Sequence, residues 1–431
     1  MTHIFNEIGA IFILVYLIGA LLLRGRFRNL SVWAIMLFAS ALTILLGLLP
    51  IDEYAAAINF DVIFFLIGMF SLVAAADSSG ALKYIALKML RKAKNTWYSL
   101  LIMSFTFGLL AAVAMNDTMA LMGPVIIVVE AKSLDIDIKP LTLLLIFSVS
   151  IGSVMSPIGN PQNMLIASES GLHAPFLYFG LFLLLPTLIN LYITTLIVTK
   201  LYRIQNKPIE LKVIPIETIQ NRKNACVSLS FILLTITTFI VNDALAIMNY
   251  PHITHIGFIP FVYASIMYLV ATERREILAK VDWSTILFFL GMFITMEGIW
   301  RSGLFQSILQ YIIINTNDYF NTILVVSFVS LTLSQLLSNV PMVKLYIDYL
   351  HFQGITGQNI VVWITLAMAS TIAGNLTIFG AASNIIIIEI MESRYNQTIS
   401  YMEFFKVGLL VTLINVFVYC VFIYILAVFL L

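Results

Sequence analysis

The sequence predicts an all-α polytopic membrane protein made of two inverted repeats, with about ten crossings, two re-entrant hairpins and two broken helices. Composition is the first reason: the 431 residues are 61% hydrophobic and 10% charged, with a mean hydropathy of +1.01, far outside the range of soluble domains. Internal repetition is the second. GMFSLVAAADSSGAL at 68–82 recurs as GMFITMEGIWRSGLF at 291–305, an offset of 223, and each copy follows an FFL run and an aspartate, Asp61 or Asp282. The same offset carries Asn116 of AMNDTMAL onto Asn339 of LLSNVPMV, and an offset shorter by two lays SIGSVMSPIGNPQN (150–163) over TIAGNLTIFGAASN (371–384). The third reason is the sorting of basic residues among the loops.

Charge-free runs place the crossings. They cover 29–51, 95–116, 140–168, 170–199, 224–242, 244–272, 319–343 and 407–431, close to or above the roughly 20 residues that span a ~30 Å hydrocarbon core as a helix. Shorter runs at 8–23, 62–76 and 283–296 cross if their flanking charges sit at the interface. The first run follows MTHIFNE, which holds Glu7 and no Lys or Arg, and precedes Arg24. This is the reverse of a secretory signal, so the run is expected to stay as a helix.

With the N-terminus outside, Arg24, Arg26 and Arg28 fall inside, and Asp52 and Glu53 outside. The next crossing returns to Lys83, Lys88, Arg91, Lys92 and Lys94. Residues 97–131 form a hairpin entering from the inside and turning near Asn116-Asp117-Thr118; 140–168 cross outward through a broken middle; 174–199 return. A polar linker, 201–223 with Pro208 and Pro215, then separates the first repeat (1–200) from the second (224–431). The second half runs the same order upside down, with its hairpin at 319–350, its broken helix at 359–388 and a C-terminus outside. All of the 23 basic residues except Arg301 and Lys344 fall in cytoplasmic segments, and an odd number of crossings per half inverts the repeats. The expected location is the cell (plasma) membrane.

Backbone unwinds inside a membrane only where protein or a wet cavity satisfies its freed groups. Four stretches invite this: Asn116-Asp117-Thr118; Ser156-Pro157-Ile158-Gly159-Asn160-Pro161-Gln162-Asn163; Ser338-Asn339-Val340-Pro341; and Thr377-Ile378-Phe379-Gly380-Ala381-Ala382-Ser383-Asn384. Pro157 and Pro161 cannot donate a helix hydrogen bond, and Gly159 relaxes the chain between them. A half-helix that restarts after such a break offers N–H groups to an anion, while freed carbonyls and Asn or Thr oxygens suit Na⁺. One break alone reads as a packing kink; four, paired by the repeat, point to a binding site. No cofactor is expected beyond Na⁺ near Asn116, Asp117, Thr118 and Asn163.

Asp117 reads as a coupling-ion or proton site, or as a cap of the following half-helix. Lys344 stands where the first repeat has Leu121; it attracts an anion, replaces a cation, or snorkels outward. Glu297 and Arg301 are spaced i, i+4 for an ion pair. Cys226, Cys420 and five scattered histidines give no metal or disulfide pattern. Walker A, HExxH and GxSxG motifs are absent, so ATP drive and hydrolytic catalysis have no support; neither enzyme activity nor a nucleic-acid partner is expected.

AMNDTMALMGPVI (114–126), SPIGNPQNMLIA (156–167), LLSNVPMV (336–343) and AGNLTIFGAASNIII (373–387) resemble the ion-transporter superfamily. That group includes arsenite permeases, bacterial citrate–metal and Na⁺/H⁺ antiporter families, and divalent anion:sodium symporters. The resemblance implies a homodimer in which a transport part, made of the hairpins and broken helices, moves elevator-like against a scaffold formed mostly by the first two helices and their mates at 224–272. It assigns Asn116, Thr118 and Asn339 to tips near ion and substrate, and Asn163 and Asn384 to the closing of each unwound helix. Asp117 fits the arsenite permease and Na⁺/H⁺ antiporter branches. Asn160 stands where arsenite permeases tend to carry aspartate, and Val340-Pro341 departs from the Ser-Asn-Thr tip of the dicarboxylate branch. The function expected is secondary active transport of a small anion or oxyanion, arsenite- or carboxylate-like, coupled to H⁺ or Na⁺. The alternatives are a Na⁺/H⁺ antiporter of the same fold and a passive channel with paired half-helices.

Overall fold

The computed structural model describes residues 2–24, 31–209 and 218–431, with no side chains for 2–4 and 21–24. Arg26, Arg28 and the linker's central stretch with Pro215 lie outside the described residues. The first half holds α1 (Thr2–Arg24), α2 (Val32–Leu45), α3 (Tyr54–Ala57), α4 (Phe60–Ser78), α5 (Ala81–Leu90), α6 (Thr96–Ala114), α7 (Asn116–Leu134), α8 (Ile138–Ser153), α9 (Pro161–Glu169) and α10 (Pro175–Leu201). The second holds α11 (Arg222–Ile247), α12 (Phe258–Val270), α13 (Arg274–Ala279), α14 (Trp283–Arg301), α15 (Leu304–Leu309), α16 (Tyr319–Leu337), α17 (Asn339–Phe352), α18 (Ile360–Ala373), α19 (Ala382–Tyr395) and α20 (Tyr401–Leu430). Seven helices (α4, α6, α10, α11, α14, α16 and α20) are long and apolar enough to cross a membrane, and five shorter apolar helical stretches accompany them. The chain is an all-helical polytopic membrane protein.

Helix starts follow the local sequence. Side-chain oxygens of Asn59, Asn95, Asp137, Asn160, Asn221, Asp282, Asp318 and Ser400 each accept a backbone N–H in the first turn of the helix that follows, which satisfies donors that helix geometry leaves free. Two long charge-free runs give shorter helices than their length implies. In 29–51 the helix stops at Leu45, before Gly47 at φ +71 and Pro50. In 244–272, Asn249 at φ +57 and Pro251 separate the end of α11 from α12. Absence of charge says where lipid is tolerated, whereas Gly, Asn and Pro decide where a helix ends.

The repeat recurs in space through helices exchanged between the halves. α4 packs on α12, and its mate α14 packs on α2. The repeated GMF glycines sit at these crossings. A Cβ on Gly68 would lie 2.4 Å from the backbone N of Phe261, and one on Gly291 would lie 3.0 Å from the carbonyl O of Met36. Gly80 and Gly303, also repeat mates, precede α5 and α15 at φ +80 and +81, a conformation that favours glycine. In the remaining core, α6 packs on α8 as α16 does on α18, and α7 packs on α19 as α17 does on α9. Fully buried Phe107, Phe147, Phe182, Phe289 and Trp363 fill the layers between.

The described ends of the linker are fastened to the first half. Thr96 N–H donates to Lys207 O (3.0 Å) and Ile209 N–H to Lys94 O (3.2 Å), beside the isolated bridge between Asn95 and Pro208; at the other end Gln220 N–H donates to Ser79 O (3.0 Å). The expected Glu297–Arg301 pair forms at 2.6 Å, and Arg301 also pairs with Glu53.

Candidate ion and substrate site at the paired helix breaks

Each helix hairpin turns on one residue that is not glycine. Met115 joins α6 to α7 at φ 66, ψ 145, and Ser338 joins α16 to α17 at φ 68, ψ 160. These are repeat mates held in the same backbone region, where a Cβ is strained. Neither side chain caps the helix that follows, so the half-helices opened by Asn116 and Asn339 have no side-chain cap from the residue before them.

Each tip faces a break. Between α8 and α9 the chain leaves helical geometry over 154–160, and Asn163 holds the break: its Nδ2 donates to the carbonyls of Ser153 (3.1 Å), Val154 (3.3 Å) and Ser156 (3.2 Å). Asn384 does the same between α18 and α19, donating to Gly374 O (2.7 Å) and Thr377 O (3.3 Å). Gly159 N–H bonds Ser156 O at 3.1 Å, and Gly380 N–H bonds Thr377 O at 3.0 Å, within a short 3-10 turn, Ile378–Gly380. Freed backbone groups at both breaks are therefore met by matching residues, as burial requires.

The breaks meet through Thr371 of α18. Its hydroxyl donates to Asn163 Oδ1 (3.1 Å) and accepts from Asn160 Nδ2 (3.2 Å), which also bonds Ser153 Oγ (3.0 Å). Asn160 Oδ1 accepts Asn163 N–H at 2.8 Å, Pro161 begins α9, and Ser156 Oγ accepts Ile158 N–H at 3.3 Å. Thr377 is held from the hairpin, its hydroxyl donating to Gln335 Oε1 at 2.9 Å while Gln335 Nε2 reaches Ala373 O at 2.9 Å.

The two sides differ. Asn116 N–H docks on Gly159 O at 2.9 Å, and among the described residues the matching bond from Asn339 to Gly380 is not formed. Asn163 has both ends of its carboxamide engaged, its Oδ1 accepting from Thr371. Among the described residues, Asn384 Oδ1 is buried with no hydrogen-bond partner, as are Asn116 Oδ1, Asn339 Oδ1, Ser383 Oγ and both polar atoms of Asn375. Asn339 lies against Gly374, where an added Cβ would sit 3.3 Å from its Nδ2, so Asn339 and Asn384 converge on one point. Val340 is a half-buried apolar neighbour, and Thr118 is half-buried one residue past Asp117.

Asp117 lies in the first turn of α7, where the helix dipole favours an anion, yet it receives no hydrogen bond from the described residues. The charge that bears on it is like-signed, Asp282 at the start of α14. Capping by hydrogen bond, one of the two readings of Asp117, is therefore not formed.

Lys344 does not snorkel outward. It is buried, with Nζ 2.7 Å from Asp348 Oδ1 and 3.1 Å from Glu169 Oε2, because two carboxylates on α17 and α9 neutralise it where lipid or substrate would otherwise have to. Thr371, Ser153, Gln335 and Asn375 escaped the sequence reading. Gln335 carries a signal, an amide inside an apolar hairpin arm; Thr371 and Ser153 look like ordinary small helix-packing residues.

The family model for citrate transporters (CitMHS) matches residues 12–351. A 46 kDa membrane protein of Mycobacterium leprae is 24% identical over 377 residues, covering 84% of this chain and 86% of that one. A transporter of Dictyostelium discoideum named arsB is 22% identical over 488 residues, covering 89% and 85%. The crystal structure of the Alcanivorax borkumensis YdaH transporter, described as having an unusual topology, superposes with a TM-score of 0.53 at 10% identity, covering 88% of each chain; this likeness concerns the fold alone. Together with the polytopic helical fold and the paired breaks, the match over most of the chain means that this protein is a transporter and not an enzyme, and that it belongs to the citrate transporter family.

Proposed function

We propose that the protein is a secondary active transporter that carries a small anion or oxyanion, citrate- or arsenite-like, coupled to H⁺ or Na⁺ by alternating access. One observation carries this reading. At both tips an asparagine amide oxygen, Asn116 Oδ1 or Asn339 Oδ1, is buried without a donor beside a helix break. Each bare acceptor costs about 1–3 kcal/mol, which a bound cation or hydroxyl-bearing solute would offset. The half-helix N–H groups at the same tips suit the anionic part of a substrate, and Asp117 supplies the charge that couples it to H⁺ or Na⁺. In this reading the hairpins are re-entrant, the repeats are inverted with both termini outside, and the linker is cytoplasmic. The hairpins and broken helices move against a lipid-embedded homodimer scaffold built on α1, α2, α11 and α12.

Purified protein in proteoliposomes tests it. Internal citrate or arsenite should accelerate uptake of the labelled solute, and Asp117→Asn, which keeps size while removing charge, should abolish coupled uptake in a folded protein. Asp117→Asn with wild-type uptake and unchanged pH and Na⁺ dependence would remove Asp117 from the mechanism. Uptake without trans-acceleration would favour a channel. The unbonded carboxylate of Asp117 also supports a second reading, Na⁺/H⁺ exchange; there Na⁺ alone would dissipate a pH gradient with no anion present.

A further inference from the structure

At the end of α17, away from the paired breaks, His351 stands between two acceptors. Its Nε2 lies 2.9 Å from the backbone O of Glu169, and its Nδ1 lies 3.2 Å from that of Ile355. A carbonyl oxygen can only accept, and a neutral imidazole has one N–H to donate. Only the imidazolium satisfies both contacts; the neutral ring turns a nitrogen lone pair toward one of the two oxygens. The imidazole also packs on Trp363 with centroids 5.2 Å apart, and the Trp363 indole N–H donates to Thr356 O at 2.8 Å. Just beyond, the loops cross backbone to backbone: a Cβ on Gly357 would lie 1.8 Å from Gly171 O. The imidazolium therefore fastens the second hairpin to the end of α9 where the chain has little room to rearrange.

Charged groups lie near the clasp on several elements. Lys344 sits between Glu169 and Asp348, leaving one net negative charge, and Asp348 Oδ2 is buried without a donor. From α4, Asn59 donates to Glu169 Oε1 at 3.0 Å, and Asp61 accepts from Ser168 at 3.1 Å with His255 acting on it. From α14, Glu297 adds negative charge near Asp348 and is held by Arg301, which also takes Glu53. His173 follows in the loop after α9, while α15, α16 and α18 carry no charged side chain.

We propose that His351 is a proton-binding site, separate from Asp117, that clasps α17 to the end of α9 when protonated and releases it when neutral. Placing the site on the outer face rests on the orientation proposed above; the clasp itself does not. The clasp is present at acid pH and lost as pH rises, because the second hydrogen bond needs the second proton.

Hydrogen–deuterium exchange of the full chain in lipid nanodiscs, with labelling times scaled for intrinsic exchange at each pH, reads the clasp without any substrate. Protection of 170–173 and 353–357 should fall about tenfold between pH 5.5 and 8.5, the scale of one charge-assisted hydrogen bond. His351→Gln, which carries no titratable proton, should show the same protection at both pH values. Equal wild-type protection at both pH values overturns the proposal without recourse to a variant, and so does a His351→Gln protein that keeps the wild-type pH response. Since no solute is used, failure of the transport reading would leave this result standing, and the converse also holds.

Discussion

Alanine at Gly68 and alanine at Gly291 are the same substitution at repeated positions, yet the structure separates their outcomes. In a helix interior, Gly→Ala gains about 1 kcal/mol from backbone propensity. Against that, a Cβ on Gly68 would stand 2.4 Å from both Phe261 N and Pro260 C, which are backbone atoms that cannot rotate aside. Restoring contact distance parts α4 from α12 by about 1 Å, enough to forfeit a quarter to a half of each dispersion contact along the seam. Phe64 packs there on Phe258 and Phe261 with centroids 5.0 and 4.8 Å apart. Overpacking of this kind costs about 1–3 kcal/mol or more, so the net expectation for Gly68→Ala is a loss of about 1–2 kcal/mol. On Gly291 the Cβ would meet Met36 O at 3.0 Å and Leu37 N at 3.1 Å, a shift of a few tenths of an ångström, and the two effects should cancel to within about 0.5 kcal/mol. Unfolding of each purified variant in SDS mixed micelles, followed by circular dichroism, gives the comparison. Equal midpoints for the two variants, or a Gly68→Ala protein as stable as wild type, would refute the reasoning.

The tips and the buried ion cluster give two more expectations. Ser338→Gly should stabilise by about 1 kcal/mol, since it removes about 1–3 kcal/mol of positive-φ strain against a smaller unfolded-state entropy cost; Met115→Gly should destabilise, because it also empties a fully buried side-chain site at about 2 kcal/mol or more. Thermal unfolding in detergent separates them, and two shifts of the same sign would count against the strain argument. Lys344→Met leaves Glu169 and Asp348 without their cation and should cost about 3–5 kcal/mol, seen as lost expression or a lowered melting temperature. Adding Asp348→Leu should restore much of that, and a single variant as stable as wild type would show that the cluster does not hold α17 to α9.

Where the sequence was informative, it was so because membrane burial punishes particular residue types. Asn116, Asn339 and the Ser156–Asn163 stretch break an otherwise apolar pattern, and a helix cannot ignore Pro157, Pro161 or an amide pair; α7 and α17 start at those asparagines, and α8 stops before Pro157. The pairing of Asn163 with Asn384 came from the repeat alone. Lys344 has one partner with a local signal, Asp348 at i+4, but the other, Glu169, lies 175 residues away, and no local pattern signals an ion pair at that separation. Thr371 was missed because a hydroxyl in an apolar helix ordinarily bonds its own backbone, as Thr43 does with Ala39 O. The short helices α5 and α15 follow from the repeated Ser-Gly, but the charge-based reading of crossings had no place for a helix of ten or six residues.

The exchange of helices between halves also has a cost in time. Asp61 at the start of α4 meets Gly257 at the start of α12, 196 residues further along the chain, and α2 meets α14 later still. At roughly 5–20 residues per second of synthesis, the glycine face of α4 stays without α12 for about 10–40 s after it is made. Lipid must cover that face meanwhile, and a bilayer solvates it almost as well as α12 does. A substitution such as Gly68→Ala would therefore act during biogenesis, when quality control can still remove the unfinished chain. The amount of protein in the membrane should fall further than the stability of the purified molecule alone would imply.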